Sequence, residues 1–322
     1  MDILIGSTGF VGSNLIGQHK FYGLYNSKNI SDAYKTNPDL CVYAGVRSEK
    51  YIANRDPEAD MEAIENAIEN IKRINHKRLV LVSTIDVFKS PCNYDENTPV
   101  DEIGLHAYGY NRYQLEKWCA GNISNLHILR LPGLFGKNLK KNFIYDLIHV
   151  LPTALNEAKF RELSEKENLL EKYYTKNENS FYSLIHVSEV ERADLLAAFS
   201  RLEFTALNFT DSRAVYQFYN LAYLWEHIKV AIEEEIRLLH LAVEPVSAFE
   251  LYSAVRGGDF TNIITDNPPY YDFKTINDNK LHGKDGYIHD KRRVIHEIKE
   301  FSKEKSLTQI LSDDKFSLPT LV

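Results

Sequence analysis

The sequence predicts an α/β protein built on a doubly wound parallel sheet, and three observations carry that prediction. Ile3-Leu4-Ile5 is a short, wholly apolar run that stops at Gly6-Ser7-Thr8-Gly9-Phe10-Val11-Gly12 and passes into the helical start Ser13-Asn14-Leu15-Ile16. Two further apolar runs, 39–45 and 78–82, are separated by a segment in which Ile64, Ile68 and Ile71 recur at helical spacing. A parallel strand covered on both faces needs a continuous apolar run, and parallel neighbours need helical crossovers between them. With 322 residues the chain is long enough to bury a sizeable core.

Composition narrows the function. The chain is 44% apolar and 26% charged, as ordinary globular proteins are. A formal charge of −7 and a pI near 5.9 argue against nucleic acid or an anionic membrane as principal partner, while a small polyanionic substrate needs only a few local cations. Cys41, Cys92 and Cys119 are odd in number and lack ligand spacing, and the eleven histidines form no HExxH-like cluster. The expectation is a reducing, cytoplasmic compartment and no metal. No apolar run approaches the ~18 residues that span a bilayer.

In chain order, the glycine turn comes first. Its first glycine permits a tight turn, its second a close approach of backbone to a pyrophosphate, and its third close packing of helix on strand. Gly6, Thr8, Gly9, Phe10, Val11 and Gly12 are therefore candidate cofactor residues, although such a turn by itself also fits a plain strand-to-helix connection. A second strand is expected over 20–27. In a dinucleotide-binding fold an acidic residue about 20 positions past the first glycine holds the adenosine ribose of NAD. Here Asn26, Ser27 and Lys28 stand instead, a set better suited to a 2′-phosphate, which favours NADP over NAD; Lys28 alone also fits a polar surface turn. The strand 39–45 ends in the small residues Ala44 and Gly45, where a bulky side chain would obstruct a cofactor, and the run from residue 78 delivers Thr84 to a strand's carboxyl end.

Beyond these come Glu96-Asn97-Thr98-Pro99, then Tyr108-Gly109 opening a helix that carries Glu116, then Arg130-Leu131-Pro132-Gly133-Leu134-Phe135-Gly136. With the glycine turn and with Thr84 before Val87-Phe88, this order resembles the extended short-chain dehydrogenase/reductase family, whose members include nucleotide-sugar epimerases, dehydratases and dTDP-4-dehydrorhamnose reductases. The likeness continues more faintly through 213–221 and 238–247. It implies a Rossmann-like sheet with a smaller, interleaved substrate-side domain: residues 1–136 bind dinucleotide, 213–232 return to them, and 137–212 with 233–322 form the substrate side. It also implies cofactor contacts from Ser83 and Pro132. Residues 152–180, with Leu155, Phe160, Leu163, Leu169 and Leu170 at helical spacing, have no counterpart in the family and are assigned to the substrate side.

In the family a tyrosine exchanges a proton with a sugar oxygen, a Ser or Thr hydrogen-bonds the same oxygen, and a lysine four residues after the tyrosine lowers the phenol pKa. Two registers compete here. Tyr113 with Lys117 has the literal spacing, but Tyr108 precedes the glycine and lies 24 residues after Thr84, close to the family separation. Tyr108 is chosen, with Thr84 its hydroxyl partner and Arg112 in the lysine's place; Arg112 keeps the charge but relays no proton. Core packing is the plainer role for Tyr110 and Tyr113. Asp86, Lys140, Lys141, Asn142 and Arg213 are candidates for the substrate, the lysines fitting a solvated turn almost as well. The resulting expectation is an NAD(P)-dependent nucleotide-sugar epimerase or keto-sugar reductase, a homodimer through helices 60–74 and 108–121. Ile85-Asp86 after Thr84 departs from the Asp-Glu pair of the dehydratases. The alternative is a dinucleotide-binding protein that has lost its chemistry and serves as a sensor or partner-binding module.

Overall fold

The computed structural model describes residues 1–177 and 180–314, with side chains described up to residue 305. Six strands form one sheet in which every pair is parallel: β1 (Asp2–Ile5), β2 (Gly23–Tyr25), β3 (Leu40–Tyr43), β4 (Leu79–Thr84), β5 (Leu126–Leu131) and β6 (Leu238–His240), in the order β6-β5-β4-β3-β1-β2. The expected fold class is the one observed. Register explains the apolar runs: Ile3 pairs with Cys41, Cys41 with Leu79, and Leu79 with Leu126, so one row of side chains crosses the sheet on a single face. That face packs on Ile64, Ala67, Ile71 and Ile74 of α3 (Pro57–Ile74) and on Leu115 and Cys119 of α4 (Ala107–Asn122). Leu4, Val42, Val80 and Leu129 alternate to the other face and are buried as well, as doubly covered parallel strands require.

The helices begin where local chemistry dictates. Asp56 caps α3 by accepting from the Ala59 N–H at 3.1 Å, Pro57 takes the first position, where its missing N–H costs nothing, and Asn75 ends the helix in the left-handed region. Glu58 and Asp60 sit in its first turn and Lys72 and Arg73 in its last, each complementing the helix dipole. His106 caps α4 through Nδ1, which accepts from the Gly109 N–H at 3.0 Å.

The chain divides into two compact units. The first comprises Met1–Leu139, Val215–Val246 and Pro269–Glu297; the second comprises Lys140–Ala214, Ser247–Pro268 and the chain from Ile298. Residues 233–246 and 269–297, expected on the substrate side, thus join the sheet unit. The reason is physical: β6 hydrogen-bonds β5 as the sixth strand, and Glu96 of the E-x-x-P loop accepts from His240 N (2.8 Å), Thr275 Oγ1 (2.6 Å) and Ile276 N (2.9 Å). Gln217 fastens the same returning segments. Its amide, 1% exposed, donates to Val243 O (2.6 Å) and Phe273 O (2.8 Å) and accepts from Phe273 N (2.9 Å). The stretch 213–221 forms two short strands, Val215–Tyr216 and Phe218–Asn220.

The second unit has its own core of Leu155, Phe160, Leu163, Leu170, Tyr174, Leu195 and Phe199. The helical spacing read over 152–180 resolves differently: Leu155 lies in the strand Ala154–Asn156, and two short helices, Glu157–Ser164 and Leu169–Tyr173, hold the other four leucine and phenylalanine positions. Asn156 forces the break by capping the first of these helices, accepting from Lys159 N at 2.8 Å. Ala154–Asn156, Phe181–Leu184 and Tyr174–Lys176 form an antiparallel sheet with Phe181–Leu184 central. Residues 178–179 of that stretch, and 315–322 of the expected substrate-side domain, lie outside the described residues. No helix among the described residues is long and apolar enough to cross a membrane.

Candidate functional site

A parallel sheet places the carboxyl ends of all its strands along one edge, and the candidate cofactor residues collect there. Gly6 follows β1, Asn26–Lys28 follow β2, Ala44-Gly45 follow β3, Ser83-Thr84 end β4, and Pro132 follows β5. Because β2 and β3 flank β1 on opposite sides, the strand order reverses at β1, the position where open α/β sheets leave a ligand crevice. Local geometry demands glycine at this point. Gly6 has φ +85°, and a Cβ on it would lie 2.2 Å from the Ala44 carbonyl oxygen. A Cβ on Gly12 would lie 2.2 Å from the Gly6 carbonyl, so α1 (Phe10–Ile16) presses directly on the turn. The first turn of α1 carries no acid, and Thr8 and Gly9 are exposed. After β2 the Asn26 side chain accepts from Lys28 N at 2.9 Å, and Asn26 N donates to Asn29 Oδ1 at 2.8 Å, shaping a polar loop without a carboxylate at 26–28.

The acid/base candidates are assembled by α4. Gly109 lets its first turn close on the segment after β4, since a Cβ there would fall 2.0 Å from the Asp86 carbonyl oxygen. Tyr108, 7% exposed, is thereby brought beside the Thr84 hydroxyl. Burial raises the Tyr108 pKa above that of a free phenol, and the Asp86 carboxylate adds to the rise; Arg112 and the Thr84 hydroxyl oppose it. The phenol is therefore protonated at neutral pH.

Arg112 is buried with its guanidinium carbon 4.1 Å from the centre of the Tyr108 ring, on the ring face. Its Nη1 is ion-paired with Asp60, and its Nη2 donates to the Arg47 carbonyl at 2.5 Å. Asn111 donates to Asp60 Oδ2 (2.8 Å) and Pro57 O (3.1 Å), and the Tyr108 N–H donates to Asn54 Oδ1 (2.9 Å). The start of α4 thus grips residues 47–60, which include the short helix α2 (Lys50–Arg55). The competing pair lies elsewhere: Lys117 is ion-paired with Glu102 at 2.7 Å, and Tyr113 packs against the cluster of Ile85, Val87, Phe88, Ala242 and Phe273.

Around Asp86 the structure places residues that sequence reasoning did not select. Lys50 Nζ donates to Asp86 Oδ1 at 3.0 Å, and the Tyr271 hydroxyl donates to the same oxygen at 2.9 Å. Lys50 and Tyr271 are 36 and 185 residues from Asp86, so no local pattern could have paired them. Burial raises the Tyr271 pKa as well, and burial with the nearby Lys50 lowers that of His106.

Other candidates have different partners. The Ser83 hydroxyl donates to Glu116 at 2.5 Å, and Glu116 forks onto Arg130 at 2.6–3.1 Å, so these motif residues form a buried network beneath the site. Arg213, assigned to the second unit by its neighbours at Ala214 and before, is ion-paired with Asp211 at 2.8 Å. Asn142 caps the helix Phe143–His149, accepting from Tyr145 N at 3.1 Å, and Lys140 and Lys141 are exposed just before it. No cluster of metal-ligating side chains occurs among the described residues.

No family model matches the sequence, and no curated protein matches it. Solved structures do. A dTDP-4-dehydrorhamnose reductase from Bacillus anthracis, in complex with NADP, superposes with a TM-score of 0.61 at 16% identity, over 94% of this chain and 97% of the other. A short-chain dehydrogenase/reductase superfamily protein from Agrobacterium tumefaciens with bound NAD gives 0.58 at 14%, over 97% and 99%. A UDP-glucose 4-epimerase from Thermotoga maritima with UDP-glucose gives 0.55 at 11%, over 87% and 92%. The chain therefore has the fold shared by these reductases and epimerases, along nearly its full described length.

Proposed function

We propose that the protein is an NAD(P)-dependent enzyme of the extended short-chain dehydrogenase/reductase type that acts on a nucleotide-linked sugar, with reduction of a keto-sugar as the preferred reaction and epimerisation the close relative. The observation that carries this reading is Tyr108, buried, protonated and beside the Thr84 hydroxyl at the carboxyl edge of the sheet. A neutral phenol is a proton donor, which is what a carbonyl oxygen needs as it becomes a hydroxyl. The residues present fit a nicotinamide dinucleotide: a tight turn at Gly6 and Gly12 whose backbone contacts exclude a Cβ, an acid-free helix start, and small residues at Ala44 and Gly45. When bound, the dinucleotide supplies the hydride. Gly6, Thr8, Gly9, Phe10, Val11 and Gly12 would hold its pyrophosphate, Asn26, Ser27 and Lys28 its adenosine ribose, and Ala44, Gly45, Ser83 and Pro132 would line its path. The absence of a carboxylate at 26–28 supports NADP over NAD. Asp86 would meet the sugar, while Lys140, Lys141, Asn142 and Arg213 would serve the nucleotide diphosphate.

In this reading the protein works in the cytoplasm, in keeping with three free cysteines, and forms a homodimer through α3 and α4, where Tyr110 is 38% exposed. The second reading, a binding protein without turnover, is favoured by Arg112, whose guanidinium is held by Asp60 and the Arg47 carbonyl. Calorimetric titration with NADPH and NADH, followed by turnover of dTDP-4-dehydrorhamnose, separates them. Tighter NADPH binding with turnover supports the reductase. Binding without turnover of this or other nucleotide-linked keto-sugars supports the second reading, and no binding of either dinucleotide refutes both.

A further inference from the structure

The exchange of lysine for arginine at position 112 leaves the site without an ammonium on α4, yet an ammonium stands beside it. Lys50 arrives on α2, three residues after the Arg47 carbonyl that Arg112 grips, and its Nζ lies 3.0 Å from Asp86 Oδ1 and 3.4 Å from the Tyr271 hydroxyl. Asp86 in turn is fixed from two sides: its own N–H donates to Thr84 Oγ1 at 3.1 Å, and Tyr271 donates to its carboxylate. Thr84 lies beside Tyr108. Hydrogen bonds thus link Lys50 to Asp86 and Asp86 to Thr84, Tyr108 lies beside them, and α4 meets this set through Gly109 against the Asp86 carbonyl and through Arg112 on the Arg47 carbonyl.

We propose that Lys50 is a positioning residue for the Tyr108 site, balancing the Asp86 carboxylate beside the phenol, and that Arg112 serves as the clamp that sets the Lys50 segment in place. The proposal rests on the reading of Tyr108 as the acid/base group. Its electrostatic logic is direct: an uncompensated carboxylate near a phenol opposes loss of the proton, and a cation on that carboxylate relieves the opposition. The charged and titratable groups around Tyr108 are Arg112 on its own helix, Asp60 on α3, Asp86 after β4, His106 at the cap of α4, Lys50 on α2, and Tyr271. Asp60 is paired with Arg112 and Tyr271 is protonated, which leaves the Lys50–Asp86 pair as the adjustable element. Arg112 on the ring face also opposes the rise, but its charge is shared with Asp60 and a backbone carbonyl, so it does not balance Asp86.

The test uses the full chain with isotopically labelled tyrosine, Tyr108 being assigned by its loss in Tyr108→Phe. In Lys50→Met the Tyr108 resonance should titrate about one pH unit higher than in the wild type, the scale of a nearby unbalanced charge. Lys50→Arg should titrate like the wild type, and the double variant Lys50→Met/Asp86→Asn should return to it. With dTDP-rhamnose and NADP, turnover of Lys50→Met at neutral pH should fall about tenfold, following the smaller phenolate fraction, with KM within about twofold. An unshifted Tyr108 titration in Lys50→Met overturns the proposal whatever the turnover. A shifted titration with no turnover even by the wild type upholds the pairing and counts against this substrate and reaction.

Discussion

The buried network under the site offers a quantitative check on how the sheet unit is held. Glu116 and Arg130 are 3% and 4% exposed, and the carboxylate accepts from Arg130 Nε at 3.1 Å, from Nη2 at 2.6 Å and from the Ser83 hydroxyl at 2.5 Å. On its other side Arg130 lies 5.1 Å from the Phe88 ring centre and 3.3 Å from His240 Nε2. Burial, with Arg130 adjacent, lowers the His240 pKa to about 3, so that ring is neutral and supplies no compensating charge. Glu116→Gln keeps the shape but removes the anion and turns an amide N–H toward the guanidinium. Removing one partner of such a pair costs about 3–5 kcal/mol, a large part of the roughly 5–15 kcal/mol that holds a domain together. For a unit of this size each kcal/mol shifts Tm by about 2–4 °C, so a fall of roughly 6–20 °C is expected. Glu116→Gln/Arg130→Met, which removes both charges, should recover much of that loss. Thermal unfolding followed by circular dichroism decides it: Glu116→Gln melting within about 2 °C of the wild type would refute the argument.

Three further outcomes follow from the same structure. Gly12→Ala drives a methyl group into the Gly6 carbonyl, so it should cost about 1–3 kcal/mol in a urea titration and weaken dinucleotide binding at least tenfold by calorimetry. Tyr108→Phe should lower turnover by about 10²–10⁴ while dinucleotide affinity stays near that of the wild type, and Tyr113→Phe, beside the surface pair of Lys117 and Glu102, should leave turnover within a few-fold; the reverse pattern would move the acid/base role to Tyr113. In the second unit, burial pushes the Asp146 carboxyl up to about 7, so the native state holds a proton that the unfolded chain releases near pH 4. Its contribution is full below pH 4, declines as pH rises, and is lost once pH passes 7; Asp146→Asn should therefore flatten Tm between pH 4 and 7 and melt higher than the wild type at pH 8.

Much of the fold was legible because it is written in short-range terms. Ile3-Leu4-Ile5 and 78–82 read as buried strands because parallel strands leave no polar face, and α3 showed its period in Ile64, Ile68 and Ile71. The failures share a cause, which is that the deciding contact is distant in sequence. Leu155 continues a helical spacing yet lies in a strand, since pairing with Tyr182 and capping by Asn156 outweigh local periodicity. At the site, position 112 could be read as a cation near a phenol. That it lies on the ring face, fastened to Asp60 and Arg47, depends on residues more than fifty positions earlier. The family resemblance implied a cofactor contact for Ser83; that its hydroxyl also meets Glu116 depends on how α4 packs. Lys50 and Tyr271 belong to no motif at all.

The fully buried side chain of Gln217 implies an order of events during synthesis. Its acceptors and donor lie at Val243 and Phe273, and the Glu96 carboxylate likewise waits for Thr275 and Ile276. A nascent chain released up to residue 250 holds all six sheet strands, but half-buried Glu96 and buried Gln217 still lack the partners supplied by 273–276, and an unmet buried amide such as that of Gln217 is costly. The sheet unit therefore closes only when those last residues leave the ribosome, after the 140–214 stretch has emerged and can form its own core. Chains truncated before residue 273 should collapse without locking and be the species that chaperones and proteases meet.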